Sequence, residues 1–225
     1  MANRPQAIAF DVLETLFDTA LVEQALTSAG LPPGGREIWL ARTLRNGFAL
    51  AASGAFKRFD EVARATLVGL FADREVEESE GQIDNIISCL RELPAHSDVG
   101  PALSRVRAAG VPAVALSNGS TDATRELLGK AGLSTMLEGI VSIDDVQQWK
   151  PRPEVYWHVA RLLGLPTSKV AVVAAHGWDV HGARRAGFTT GFVTRNEGRV
   201  DAFDAPDVIG DDLVEVCESL LALST

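Results

Sequence analysis

The chain has 225 residues, a formal net charge of -9, 46% apolar residues and 23% charged ones. That is ordinary for a globular protein, and the length suits one large domain or one domain carrying an insertion. The acidic balance disfavours nucleic acid, which demands clustered Lys and Arg, and equally an anionic membrane surface; a small anionic substrate stays compatible, because local pocket charge can oppose the global one. No apolar stretch approaches the roughly 20 residues of a membrane span. No signal-peptide pattern precedes the first apolar run, so a cytoplasmic location is expected. Cys89 and Cys217 fall in helical patterns without metal-ligand spacing and read as reduced, structural thiols.

In chain order, residues 6–12 form an apolar run that reads as a buried strand. Leu21, Val22, Ala25, Leu26 and Ala29 then recur at helical spacing up to Gly30. Further helices are expected over 36–52, over 60–72, and from the acidic segment 75–80 to about 93. Beyond Pro94 the pattern alternates. Helices at 98–109, 121–131, 153–163 and 179–186 each end at a Gly, and apolar strands follow at 112–116, 139–143, 169–174 and 190–194. A short strand at 207–209 and a helix at 213–221 complete the chain. Helix alternating with apolar strand implies a parallel sheet covered on both faces. The expected fold is therefore α/β: a Rossmann-like, doubly wound parallel sheet formed by residues 1–17 and 94–225, with an all-helical cap, 18–93, inserted after the first strand.

In such sheets ligands bind beyond the carboxyl ends of the strands. Asp11 stands at the end of strand one, free to attack an electrophile. Leu116-Ser117-Asn118-Gly119, Trp149-Lys150-Pro151 and Ala175-His176-Gly177-Trp178-Asp179 also place polar residues at strand ends or helix starts. Together with Phe-Asp-Val-Leu-Glu-Thr-Leu-Phe-Asp at 10–18, and with the Lys150 stretch extended as Lys-Pro-x-x-x-Val-Tyr to 156, these stretches resemble, in order, the four motifs of the haloacid dehalogenase superfamily. The resemblance spans nearly the whole chain and is strongest to the L-2-haloacid dehalogenase branch, whose fourth motif also contains Trp-Asp. It implies that Asp11 is a nucleophile forming an ester intermediate, so that one displacement is split into two easier steps. It also implies that Thr15 hydrogen-bonds near the nucleophile, that Lys150 neutralises Asp11 and Asp179, and that Asp179 orients Lys150 or positions the hydrolytic water. Ser117 and Asn118 supply donors for a substrate carboxylate, and Tyr156 and Trp178 line the same site. The cap of related enzymes often forms dimers, so a homodimer is expected on the same ground.

Position 13 separates the subclasses. Phosphatases of the superfamily carry a second Asp there, as general acid for a leaving alkoxide; here it is Leu13. A halide leaves without a proton. The fourth motif offers Asp179 as its only carboxylate, whereas a magnesium site wants several oxygen ligands, so a metal-free site without cofactor is expected. Three departures from the branch stand out. Glu14 replaces a usual Gly and would bring bulk and negative charge beside an anionic substrate. Ala174 and His176 replace Ser and Asn, and His176 can act as donor or base near neutrality. Aligning Trp39 with the branch puts Leu40 where an Arg abstracts the halide, leaving Arg42 and Arg45 to substitute. The expected activity is hydrolysis of a carbon–halogen bond in a short 2-haloacid. The alternatives are a magnesium-dependent phosphatase, or a family member with little catalysis that binds a small acid or a protein partner.

Overall fold

The computed structural model describes residues 3–77, 80–195 and 202–224. The chain runs β1 (Ala7–Asp11), α1 (Ala20–Ser28), α2 (Gly35–Ala52), α3 (Phe59–Asp73), α4 (Glu80–Cys89), α5 (Val99–Ala108), β2 (Ala113–Ser117) and α6 (Thr121–Lys130). It continues through β3 (Gly139–Ser142), α7 (Pro153–Leu163), β4 (Val170–Ala174), α8 (Gly177–Arg185), β5 (Thr189–Val193), β6 (Val208–Gly210) and α9 (Leu213–Leu221). The six strands form one parallel sheet in the order β3-β2-β1-β4-β5-β6. Every residue of β1, β2, β4 and β5 is buried, as expected when both faces of a parallel sheet are covered. The order reverses at β1: β2 and β3 build outward on one side, β4 to β6 on the other. That reversal opens a crevice at the carboxyl end of β1, where Asp11 sits.

Between β1 and α5 the described residues form only helices, and these bury their own apolar face. Trp39, Phe59, Leu67 and Phe71 are buried among them, and Trp39 Nε1 donates to the Ala63 carbonyl at 2.8 Å, fixing α2 on α3. Most boundaries shift by about one residue, and two depart further from the sequence pattern. α4 stops at Cys89 rather than near 93, because Leu90, Arg91 and Glu92 turn their N–H groups to carbonyls three residues back, a tighter winding that closes the helix. α8 begins at Gly177, two residues early, so His176 is its N-cap and Trp178 and Asp179 stand in its first turn. The acidic stretch expected at 75–80 lies partly outside the described residues. Both cysteines are free; burial pushes the Cys217 thiol up to about 12.

The helical layer meets the core closely at one point. A Cβ on Gly47, in the middle of α2, would overlap the buried ring of Trp149, the residue just before Lys150. Trp149 is further held by Phe59 at 5.8 Å and by its indole N–H bond to the Lys57 carbonyl at 2.9 Å. Gly47→Ala should therefore destabilise the protein by about 1–3 kcal/mol through overpacking, despite the ~1 kcal/mol that Ala gains over Gly inside a helix. Thermal melting checks this, and an unchanged or raised Tm would show that the two layers are not so tightly seated.

Candidate functional site

β1 ends in a tight turn that aims Asp11 into the crevice. Leu16 and Phe17 return their N–H groups to the Val12 carbonyl at 2.9 and 3.2 Å, and the Glu14 N–H bonds the Phe17 carbonyl at 2.8 Å. The turn puts Thr15 under the carboxylate: its hydroxyl donates to Asp11 Oδ2 at 2.7 Å and accepts from the Ala175 N–H at 2.9 Å. Lys150, wholly buried, donates to Asp11 Oδ1 at 2.6 Å, to Asp179 Oδ2 at 2.7 Å and to the Leu116 carbonyl at 3.1 Å. Tyr156 donates to the other oxygen of Asp179 at 2.5 Å. Burial alone would favour a neutral Asp11, but the ammonium of Lys150 and the imidazole of His176 outweigh it and hold the carboxyl well below its usual range. Burial opposes the charge on Lys150 too, yet Asp11 and Asp179 raise its pKa. Asp179 is raised, chiefly by burial and further by the charge of Asp11, against the lowering effect of the Lys150 ammonium and the Tyr156 hydroxyl.

Glu14 and His176 answer one another. Glu14 adopts a left-handed backbone, φ 63°, the conformation a Gly would take without strain. Its side chain turns back to accept from Thr19 at 3.1 Å and Arg36 at 3.3 Å, and its second oxygen meets His176 Nε2 at 3.0 Å. The opposite ring nitrogen, Nδ1, lies 3.3 Å from Asp11 Oδ2. Burial disfavours an imidazolium here, but bonds to Asp11 and Glu14 prevail and raise the His176 pKa to about 10. The charge expected to repel an anion is thus neutralised by its own neighbours, and the Glu14 carboxyl is held low chiefly by His176 against the opposing effect of burial.

A chamber of about 30 Å³ lies over Asp11, walled by Leu13, Leu40, Leu44, Phe59, Ser117, Asn118, His176 and Trp178. A larger cavity of about 440 Å³ adjoins it and shares Glu14, Leu40, Leu44, His176 and Trp178, with Arg36 and Arg195 added. Trp178 stacks on His176 at 5.4 Å and meets Phe48 of α2 edge-on at 5.1 Å. Two residues of this wall carry a buried polar atom without a hydrogen-bond partner, the Trp178 indole N–H, a donor, and Asn118 Oδ1, an acceptor. Buried polar groups are nearly always bonded, so such atoms are natural ligand contacts. Ser117 Oγ accepts the Gly119 N–H at 2.9 Å, which folds the 117–119 turn over the end of β2.

Arg42 and Arg45 are not brought to this chamber, contrary to the expectation from sequence. Arg42 pairs with Asp73 at 2.5 Å and Arg45 leans on Asn46. Helix phase explains it: Arg36, Leu40, Leu44 and Phe48, spaced by four, share the stripe of α2 that faces the cavities, and 42 and 45 lie off it. Arg36 is therefore the arginine of this helix nearest Asp11's surroundings. Arg195, also absent from the sequence reading, follows β5 and donates to the Thr15 carbonyl at 3.0 Å and to Asp98 at 2.9 and 3.1 Å. Its position after a strand end was the available signal.

The residues do not suit a magnesium ion. Asp11 and Asp179 both point an oxygen at the Lys150 ammonium, which takes the place a cation would need. Among the described residues no group of three or more His, Cys, Asp and Glu is arranged to hold a metal.

Sheet order, switch-point pocket and helical cover define a Rossmann-like α/β protein with a helical cap over the end of its first strand. The chain belongs to the haloacid dehalogenase-like hydrolase family, whose model matches residues 5–187. It is 28% identical to the (S)-2-haloacid dehalogenase of Xanthobacter autotrophicus over 193 residues, 84% of this chain and 75% of that one. It is 25% identical to the (S)-2-haloacid dehalogenase of Pseudomonas putida over 225 residues, 96% of each chain. The solved structure of L-2-haloacid dehalogenase from Xanthobacter autotrophicus superposes with a TM-score of 0.91 at 24% identity, covering 98% of this chain and 100% of that one.

Proposed function

We propose that this chain hydrolyses the carbon–halogen bond of short 2-haloacids to a 2-hydroxy acid and halide, through an ester on Asp11. The observation that carries the reading is an ionised, buried carboxylate 2.6 Å from Lys150, with Leu13 where a phosphatase would keep its acid. In the first step an Asp11 oxygen attacks C2, the C–O bond forms, and the halide departs with the bonding electrons. Water then cleaves the ester and restores Asp11. Lys150 keeps Asp11 charged, Asp179 and Tyr156 hold Lys150 in place, and Thr15 orients the carboxylate. Ser117, Asn118 and nearby N–H groups receive the substrate carboxylate. The unpaired indole N–H of Trp178 receives the halide, a part for which Arg42 and Arg45 are turned the wrong way. Leu13, Leu40, Leu44 and Phe59 keep water off the reacting carbon, and the small chamber favours two- and three-carbon acids.

The same reading takes residues 18–93 as the cap and 1–17 with 94–225 as the core, and involves no metal or cofactor. It expects a cytoplasmic enzyme able to pair as a homodimer; no helix among the described residues is long and apolar enough to cross a membrane. The test is halide release from chloro-, bromo- and fluoroacetate and 2-chloropropionate, with and without EDTA, beside a phosphate-release panel. Halide release that survives EDTA is expected. Magnesium-dependent phosphate release in its place would overturn the assignment.

A further inference from the structure

The proposed reaction has two halves with opposite proton demands. The halide of the first half leaves without a proton. In the second, water attacking the ester carbon must lose a proton, and the departing alkoxide of the hydroxy acid must gain one. Leu13 can do neither. Lys150 is an ammonium spread over Asp11, Asp179 and the Leu116 carbonyl, able to donate but not accept. Both oxygens of Asp179 are occupied, by Lys150 and Tyr156. The Thr15 hydroxyl is spent on Asp11. His176 is the remaining side chain against Asp11, with Nδ1 facing it and Nε2 anchored on Glu14.

Resting on the dehalogenase reading, we propose that His176 is the proton-transfer catalyst of ester hydrolysis and that Glu14 is the positioning residue that fixes its tautomer. In the free enzyme two carboxylates flank the ring and keep it an imidazolium. Alkylation turns Asp11 into a neutral ester and removes one of them. The Nδ1 proton leaves through the outer cavity that His176 lines, while Nε2–H stays on Glu14. Nδ1 then takes a proton from the attacking water as the new O–Cγ bond forms. When the tetrahedral centre collapses, the Cγ–O bond to the substrate carbon chain breaks and the alkoxide collects that proton from Nδ1. The second water proton, left on the regenerated Asp11 carboxyl, passes to Nδ1 and rebuilds the imidazolium–carboxylate pair. The charged groups around the ring are Asp11 and Glu14 in contact, Arg36 behind Glu14, Lys150 and Asp179 beyond Asp11, and Arg195 and Glu37 across the outer cavity.

Single-turnover and steady-state halide release from chloroacetate, with intact-protein mass spectrometry, tests this on His176→Gln and Glu14→Gln. His176→Gln should keep a stoichiometric halide burst, lose about 100-fold or more in steady turnover, and accumulate the Asp11 ester. Glu14→Gln should lose less turnover and move the rising limb of the ester-hydrolysis pH profile to lower pH, because a ring without its anionic partner deprotonates more readily. A merely structural role would lower burst and turnover together, trap no ester and leave the limb in place, and that result overturns the proposal. If His176→Gln fails to melt cooperatively, the limb of Glu14→Gln decides alone. A folded wild-type protein with no halide burst instead defeats the dehalogenase reading, and this inference falls with it.

Discussion

Asp11→Asn should lose halide release by a factor on the order of 10⁴ or more, the scale at which removal of a covalent nucleophile is felt. Asn keeps the size of the side chain and an oxygen for Lys150 or Thr15 to bond, so the turn over 12–17 has no reason to reorganise. What it removes is the charge and the lone pair that attack carbon. The variant should fold and still respond to chloroacetate in a thermal-shift measurement while releasing no halide. Its stability curve carries a second signature. The Asp11 pKa is lowered from 3.8, so its ionisation contributes stability that is present above that value and lost as pH falls below it. Asp11→Asn should lack this share of the acid-side decline. A variant that keeps a tenth of wild-type turnover would mean that another group attacks the substrate.

Much of the framework was legible because its signals are local. Apolar runs closed by Gly or a polar strand end mark β1, β2, β4 and β5, and the strand-end rule placed Asp11, Ser117 and the 176–179 segment at one edge of the sheet. Lys150 is different: it reaches Asp11 across 139 residues of sequence, and while its place just before a helix marks it as a candidate, only the motif resemblance assigns it to Asp11. Arg42 and Arg45 lie near Leu40 in sequence but off its phase on the helix. Counting in fours from Leu40 along α2 leads to Arg36 and Leu44, not to Arg42 or Arg45.

From sequence, Glu14 brings bulk and negative charge beside the site, and no local pattern reveals what neutralises it. Its left-handed backbone costs roughly 1–2 kcal/mol for a residue with a Cβ, and the compensation comes from Thr19, Arg36 and His176, which lie 5, 22 and 162 residues away. Two departures from the family pattern therefore form a single unit. His176 bridges the two carboxylates, with Nδ1 toward Asp11 and Nε2 on Glu14. That pairing is a property of the fold, visible only once β1 and β4 lie side by side.

Lys150→Met tests the other half of the electrostatic argument. Met fills nearly the same volume, so the change is chiefly the loss of a buried ammonium between two carboxylates. Removing one partner of a buried ion pair costs about 3–5 kcal/mol, and here the loss leaves Asp11 and Asp179 facing each other with less positive charge between them. One of them takes up a proton. Asp11 then forfeits the main interaction that held its pKa down, and burial, which acts upward, is opposed chiefly by His176, with the Thr15 hydroxyl still bonded to the carboxylate. Halide release should become pH-dependent: absent where Asp11 is protonated and returning as pH rises through its new, higher pKa, while the wild-type burst stays flat across the neutral range. The wild-type Lys150 contribution has the opposite sign. Its pKa is raised above 10.5, so the stability it supplies is full below that value and fades only at more alkaline pH. A Lys150→Met protein with an unchanged Tm and a flat burst profile would mean that the ammonium is not what holds Asp11 ready to attack.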